Sequence, residues 1–244
     1  MGASRFPGKV LAPLRGRPVL EWVVRRVLRA RLVDEVVVAT STASADHIIE
    51  VWARDLGVKC FRGDEADVLE RFHAAAVDAG ADWIVRINAD NPFIDPQYID
   101  TLLEASPGVD YIGYETAARR HTMLTGIGLF VEALSSDCLA RAATDIQDPW
   151  LREHVTLGIY TEPDRYALRM LTVPSWCDLS WLRLTLDTPE DLDLFDAMTA
   201  VLGDTALSAT GRDIVGIAHA SPAWQATMLE IAERNTKTTG RPNQ

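Results

Sequence analysis

The sequence holds only three cysteines, Cys60, Cys138 and Cys177, in 244 residues. Widely spaced and odd in number, they supply neither a disulfide framework nor a metal cluster, so a reducing cytoplasm is the expected setting. No apolar run approaches the ~18 residues that a bilayer span requires. The stretch 10–14 is far too short for a signal-peptide core, and no membrane partner is expected. A positive excess is missing as well: 24 Lys and Arg stand against 35 Asp and Glu, a net charge of −11. General nucleic-acid binding leaves a basic footprint, so that class is set aside. An anionic small substrate is not, because a few local Arg and Lys can hold one. Neither GxxxxGK[ST] nor GxGxxG occurs. The nucleophile types form no triad pattern, and among five histidines none shows metal-ligand spacing.

What is present is a foldable chain, 48% apolar with a mean hydropathy near zero. Its length suits one large domain, or one with an appended subdomain. Pro18 suits the first residue of a helix, after which Leu20, Val23, Val24, Val27 and Leu28 repeat at helical spacing. "VDEVVVAT" (33–40) reads as a buried strand. Ser44 is placed to cap a helix carrying Ile48, Ile49, Trp52, Ala53 and Leu56, with Gly57 to end it. Strands are expected at 58–61, 82–90 and 109–115, with helices at 66–80 and 96–103 between them. This alternation predicts an α/β fold with a mostly parallel sheet covered on both faces. A polar arm at 116–132 breaks the rhythm before helices near 135–143 and 149–160. A strand–turn–helix over 181–198 resumes it. The division expected is a main domain at 1–202 and a helical extension with a frayed tail at 203–244.

Ligands of open α/β sheets gather at the carboxyl ends of strands. "NADNPFID" and "LDTPEDL" fall there, and Asp90 and Asp187 in these turns can together hold one Mg²⁺. Alternatively, Asp187 caps the helix that starts near Pro189, and Asp90 forms a turn. In the opening stretch, Gly2, Ala3 and Ser4 let backbone N–H groups approach phosphate oxygens, with Arg5 and Lys9 adding charge. A flexible basic tail is the bland alternative. "FRGDEADVLERF" sets Asp67 and Arg71 at a strand-to-helix turn, either to read a nucleoside or to cap the helix. "REHVT" carries Glu153 and His154, where a lone helical histidine is more often structural.

Taken in order, "MGASRFPGKVLAPLRGRPVLEW", "DEVVVAT", "FRGDEADVLERF", "VRINADNPFIDP", "REHVT" and "LRLTLDTPEDL" resemble the SpsF-like cytidylyltransferase family of spore-coat polysaccharide biosynthesis. They are similar, more distantly, to the acylneuraminate and 3-deoxy-manno-octulosonate cytidylyltransferases. The resemblance implies a three-layer, Rossmann-like nucleotide-diphospho-sugar transferase fold. It implies transfer of CMP from CTP to a small anionic or sugar acceptor, with pyrophosphate leaving. It places Arg5 and Lys9 on the triphosphate, Asp90 and Asp187 on Mg²⁺, and Thr40, Asp67 and Arg71 near the nucleoside with Gly2, Ala3 and Ser4. Glu132, Glu153 and His154 fall to the acceptor side or to a dimer contact, and the arm makes a homodimer plausible.

Three departures accompany the resemblance. In the family the opening motif follows a hydrophobic strand, and Met1 aligns just after it. A first strand is therefore expected to be missing, leaving a gap in the sheet whose unpaired backbone groups cost roughly 1–3 kcal/mol each when buried. A start assigned too late and a truncated paralogue both account for it. Ala89 replaces a usual glycine, which is unfavourable if that position needs positive φ. Phe130 replaces a position often acidic. Two rival functions stay open: a glycosyltransferase using a preformed nucleotide sugar, and a degenerate, non-catalytic nucleotide-binding subunit.

Overall fold

Two parallel strands open the main structure: β3 (Val37–Ser41) and β4 (Lys59–Gly63), paired over their full length. They follow a two-residue ribbon, β1 (Pro13–Leu14) and β2 (Arg17–Pro18), which leads into helix α1 (Val19–Val27). The computed structural model describes residues 5–236. Helix α1 buries eight of its nine residues, including Val19, Leu20, Val23, Val24 and Val27, as the helical spacing predicts. Pro18 stands one position earlier than expected, as its N-cap. The next helix, α2 (His47–Asp55), follows a 3₁₀ turn over Ser44–Asp46, and no side chain caps it, so Ser44 does not play the capping part.

Helix α3 (Val68–Ala79) is capped by Asp67 and ends on Gly80 in the left-handed region at φ 62°. The second sheet has the order β5 (Trp83–Arg86), β7 (Glu132–Ser135), β6 (Tyr111–Glu115), β8 (Leu168–Thr172). Within it β7 alone runs antiparallel, against both neighbours, while β6 and β8 pair parallel. Helix α4 (Pro96–Glu104) connects β5 to β6, and α5 (Ser136–Asp145) leaves β7 directly, with Ser135 as its cap. The helix expected over 149–160 is two, α6 (Pro149–Glu153) and α7 (Leu157–Tyr160). Between them Val155 takes a φ of 57°, which no continuous helix allows.

Besides the short ribbon β1–β2, two strands escape the sequence reading, β7 and β8. The strand expected at 181–187 is an extended segment held by single bonds, Leu184 N–H to Gly126 O at 2.7 Å and Leu186 N–H to Asp90 O at 2.9 Å. Helix α8 (Pro189–Leu202) follows it, then α9 (Gly211–His219) and α10 (Pro222–Thr236). Residues of α8, α9 and α10, among them Phe195, Ile214, Val215 and Met228, share one hydrophobic core with Trp22, Phe93 and Leu184. The gap expected in the sheet is present. Among the described residues β3 pairs only with β4 and β5 only with β7, and no ladder joins the two sheets.

Candidate active site

The segment 182–187 alternates leucine with polar residues. Leu182, Leu184 and Leu186 are buried in the core, which turns Arg183, Thr185 and Asp187 to the other side, since extended chain alternates its faces. Gly128 fixes the segment's position. Its φ is +65°, and a Cβ there would meet Leu184 C and O at 2.6 Å. Helix α8 then sets the end of the segment. Thr188 and Asp191 form a reciprocal capping box, and the Asp191 carboxylate also accepts the Asp187 N–H at 2.9 Å. The cap is thus Thr188, not Asp187, whose own carboxylate is left for other work.

That carboxylate meets three cations. Lys9 Nζ lies 2.9 Å from Oδ1, Arg183 Nη2 2.7 Å from Oδ2, and Arg5 Nη2 3.4 Å from Oδ1. Lys9 Nζ also donates to Asp90 Oδ2 at 2.6 Å. The first described residues, the turn after β5 and the turn before α8 therefore converge on one lysine. Burial alone would lower the Lys9 pKa, but the charges of Asp90 and Asp187 outweigh it and hold the ammonium above its ordinary value. Burial likewise works to raise Asp187, yet Lys9 and Arg183 leave its carboxyl below the usual range. Each is the expected response of a half-buried ion pair.

Asp90 Oδ1 is buried without a hydrogen-bond partner, as is Asn91 Oδ1 beside it. An unpartnered oxygen on a carboxylate that shares Lys9 with a second carboxylate suits a hard divalent cation, which takes oxygen donors and fills its remaining positions with water and phosphate. The residues thus fit Mg²⁺ with Asp90 and Asp187 as donors. Among the described residues no group of three or more His, Cys, Asp or Glu gathers around one point, so any such ion depends on its substrate for further oxygens.

Gly2, Ala3 and Ser4 lie outside the described residues. Thr40 Oγ1 donates to buried Asp46 at 2.9 Å. Asp67 caps α3 through Glu70 N–H and binds Arg152 Nε and Nη2 at 2.9 and 2.8 Å. The Arg71 guanidinium turns back onto the carbonyls of Asp64 and Glu65. Burial lowers its pKa against the opposing pull of Asp46, Asp64 and Asp67. Thr40 and Arg71 thus make local bonds at the β3–β4 end of the molecule, while Asp67 ties the start of α3 to Arg152 of α6.

Glu132 is fully buried at the start of β7. It accepts from Arg86 Nη1 at 2.5 Å, from Thr156 Oγ1 at 2.7 Å and from the Tyr111 hydroxyl. Burial, followed by the Glu132 charge, pushes the Tyr111 phenol well above its ordinary pKa. Glu153 and His154 are exposed, with the His154 ring set edge-on to Trp150 at 4.7 Å. They do not join Glu132. Phe130 is buried against Tyr98 and Tyr114, at 4.5 and 4.8 Å between ring centroids, so its departure from an acidic residue belongs to the core. Ala89 is not among the positive-φ residues, which are Arg15, Arg119 and Val155 besides glycines. The strain feared there does not arise.

Sequence reasoning missed Arg183 and Asp191, which orient Asp187, and Arg86, which balances Glu132. The first pair had a visible signal, the period-two pattern of "WLRLTLD" running into a capping box.

The family model described as cytidylyltransferase matches residues 1–196. The spore coat polysaccharide biosynthesis protein SpsF of Bacillus subtilis (strain 168) is 32% identical over 212 residues, covering 84% of this chain and 85% of its own. A cytidylyltransferase from Leptospira borgpetersenii superposes with a TM-score of 0.81 at 24% identity, over 92% of each chain. A CMP:2-keto-3-deoxy-manno-octonic acid synthetase complexed with CTP superposes with a TM-score of 0.63 at 19% identity, over 83% of this chain and 95% of that one.

Proposed function

The chain belongs to the cytidylyltransferase family, and from that premise we propose that it is a Mg²⁺-dependent enzyme whose acceptor is a sugar or sugar-like acid. CMP passes from CTP to an acceptor oxygen: the oxygen bonds to the α-phosphorus, the α–β phosphoanhydride breaks, and pyrophosphate carries away the electron pair. The observation that carries this reading is the Lys9 ammonium set between Asp90 and Asp187 with Arg5 and Arg183 alongside.

Phosphoryl chemistry asks a protein mainly for position and charge neutralisation. Arg5 and Lys9 supply the positive charge for the triphosphate, and Lys9 is kept protonated by the two carboxylates it bridges. Arg183 and Asp191 keep the Asp187 carboxylate turned into the site. Bound Mg²⁺, on Asp90 and Asp187, would lower the repulsion between an anionic acceptor and the nucleotide. The acceptor class is supported by likeness to the synthetase of a keto-deoxy sugar acid.

Three unpaired thiols suit a reducing cytoplasm, and no described helix is long and apolar enough to cross a membrane. A homodimer would use what the arm leaves exposed, Ala117 to Arg120 and Leu124, because its remainder is largely buried in its own core.

Pyrophosphate release from CTP, in the presence of Mg²⁺ and a panel of sugar acids, tests the reading. Release that depends on CTP and on one acceptor is expected. Turnover of a preformed nucleotide sugar without pyrophosphate would replace the reading with glycosyl transfer.

A further inference from the structure

His121, in the arm, is buried with 7% of its surface exposed, and the proposed reaction makes no use of it. Its ring lies flat on Tyr160 of α7, 4.1 Å between centroids and 11° from parallel. On β6, Gly113 leaves it room: a Cβ there would stand 2.8 Å from His121 Nε2 and 3.0 Å from the Tyr111 hydroxyl. The hydrogen bonds set the ring's charge state. Nδ1 accepts the Met123 N–H at 3.1 Å and so caps the 3₁₀ turn Thr122–Leu124. The proton of a neutral ring therefore sits on Nε2, which donates to the Tyr111 hydroxyl at 2.7 Å. Tyr111 donates in turn to Glu132 Oε2. This row from Met123 to Glu132 runs donor to acceptor throughout only while His121 is neutral.

We infer that His121 is a proton-operated latch: neutral, it holds the arm on the second sheet; protonated, it frees the arm and loosens the segment that ends in Asp187. A second proton would enter at Nδ1, against the Met123 N–H, and would leave that cap without its acceptor. It would also place a charge where little water reaches. The surrounding groups offer small compensation. Glu115 of β6 bridges to His121 through the backbone, but its carboxylate is paired with Arg119 at 3.1 Å. Glu132 of β7 stands 4.0 Å from Nε2 and is already held by Arg86 of β5, whose charge opposes the proton. Tyr111 and Tyr160 stay neutral, since burial pushes both phenols up, and Arg120 is turned onto the Leu124 carbonyl. Leu168 and Met170 of β8 complete the wall of a cavity of about 470 Å³ beside the ring. Burial outweighs the pull of Glu132 and holds the imidazole below its ordinary pKa. The link to the site is short. Five residues past His121 the Gly126 carbonyl accepts the Leu184 N–H at 2.7 Å, and Gly128 lies against Leu184. That this segment serves CMP transfer rests on the proposed function, whereas the latch itself does not.

The test is amide hydrogen exchange from about pH 5 to 8, divided by the intrinsic rate at each pH and read without nucleotide. Residues 119–129 and 182–187 are followed, with Val37–Ser41 as the reference. The free arm binds the proton better than the docked one, so docking is complete above the ordinary imidazole value of ~6.5 and weakens as pH falls below it. Protection of both stretches is expected to drop together there, by up to about tenfold per pH unit for one proton, with the reference unchanged. His121→Gln keeps a donor and an acceptor without titrating, and its protection is expected to stay level. Level protection in the parent, a drop that persists in His121→Gln, or a drop confined to the arm overturns the inference. If the arm of His121→Gln is unprotected at every pH, the ring resonance of His121 in the parent decides: titration below ~6.5 is expected, and titration at or above that value overturns the latch. Because the readout needs neither CTP nor turnover, its failure is distinct from a failure of the proposed reaction.

Discussion

Replacing Lys9 by methionine keeps the length of the side chain and removes one charge from the centre of the site. Its Nζ serves two carboxylates at 2.6 and 2.9 Å, and the three side chains are 13–19% exposed. Breaking a fully buried ion pair by removing one partner costs about 3–5 kcal/mol. Here Arg183 and Arg5 remain on Asp187, and partial exposure screens what is left, so a loss nearer 1–3 kcal/mol is expected from the unpaired groups. The effect on turnover is larger than the effect on folding. A preorganised charge aimed at developing negative charge contributes roughly 10²–10³ in rate. Pyrophosphate release with CTP should fall by that factor while urea unfolding stays cooperative. A further signature separates this account from simple damage. With the lysine gone, Asp90 and Asp187 want a cation more, so Mg²⁺ alone should raise the unfolding midpoint of Lys9→Met more than that of the parent. A rate within about threefold of the parent would refute the assignment, and so would an equal Mg²⁺ response in both proteins.

Further expectations follow from the same contacts. The Lys9 pKa is raised, so its contribution to stability is complete below the ordinary lysine value and is lost only as pH climbs through the raised one. The Asp187 pKa is lowered, so its contribution is complete above the ordinary carboxylate value and fades as pH drops through the lowered one. Both stay intact from about pH 5 to 9, and a turnover inflection in that window that disappears in Asp187→Asn would contradict this. Glu132→Gln leaves the Arg86 guanidinium without its carboxylate and should cost about 3–5 kcal/mol in urea unfolding; a loss below about 1 kcal/mol would show that the Glu132 charge contributes little there. Glu153→Ala and His154→Ala alter exposed side chains and should each move stability by less than about 0.5 kcal/mol, with pyrophosphate release unchanged. Gly128→Ala drives a Cβ into Leu184 and should cost about 1–3 kcal/mol and displace Asp187, read as a drop in CTP turnover larger than the drop in stability implies.

How far the sequence reveals this molecule depends on where each instruction is written. Helices α1, α3 and α4 were legible because spacing, cap and stop all lie within a dozen residues, as with Asp67 and Gly80 around α3. Strands β7 and β8 were not. Glu132 opens β7 as a charged residue, which argues for surface until its partners Arg86, Tyr111 and Thr156 arrive from 46, 21 and 24 residues away. Strand β8 has only half-buried and exposed positions, without regular alternation, at a sheet edge, a weak pattern that pairing with β6 completes. At the site, motif order brought forward Arg5, Lys9, Asp90 and Asp187, and the structure gathers them. Arg183 escaped because its role is fixed by contact with two carboxylates four and eight residues on, a spacing that suggests a helix where the chain is extended.

Arg26 has no exposed surface and donates to the carbonyls of Ile94, Leu207 and Ala209 at 2.7, 3.0 and 2.8 Å, with Ala206 at 3.4 Å. Burial, eased by Asp95, brings its pKa down to about 10. Backbone dipoles from two distant stretches thus solvate this cation as water would, and the solvent shell is assembled only when both stretches are home. The turn just past the Asp90 site and the run into the last two helices are therefore bound to fold and melt as one body. A protein built this way answers to damage at its far end with loss of order beside Lys9 and Asp90, so shortening the carboxyl end should register first as lost nucleotide affinity.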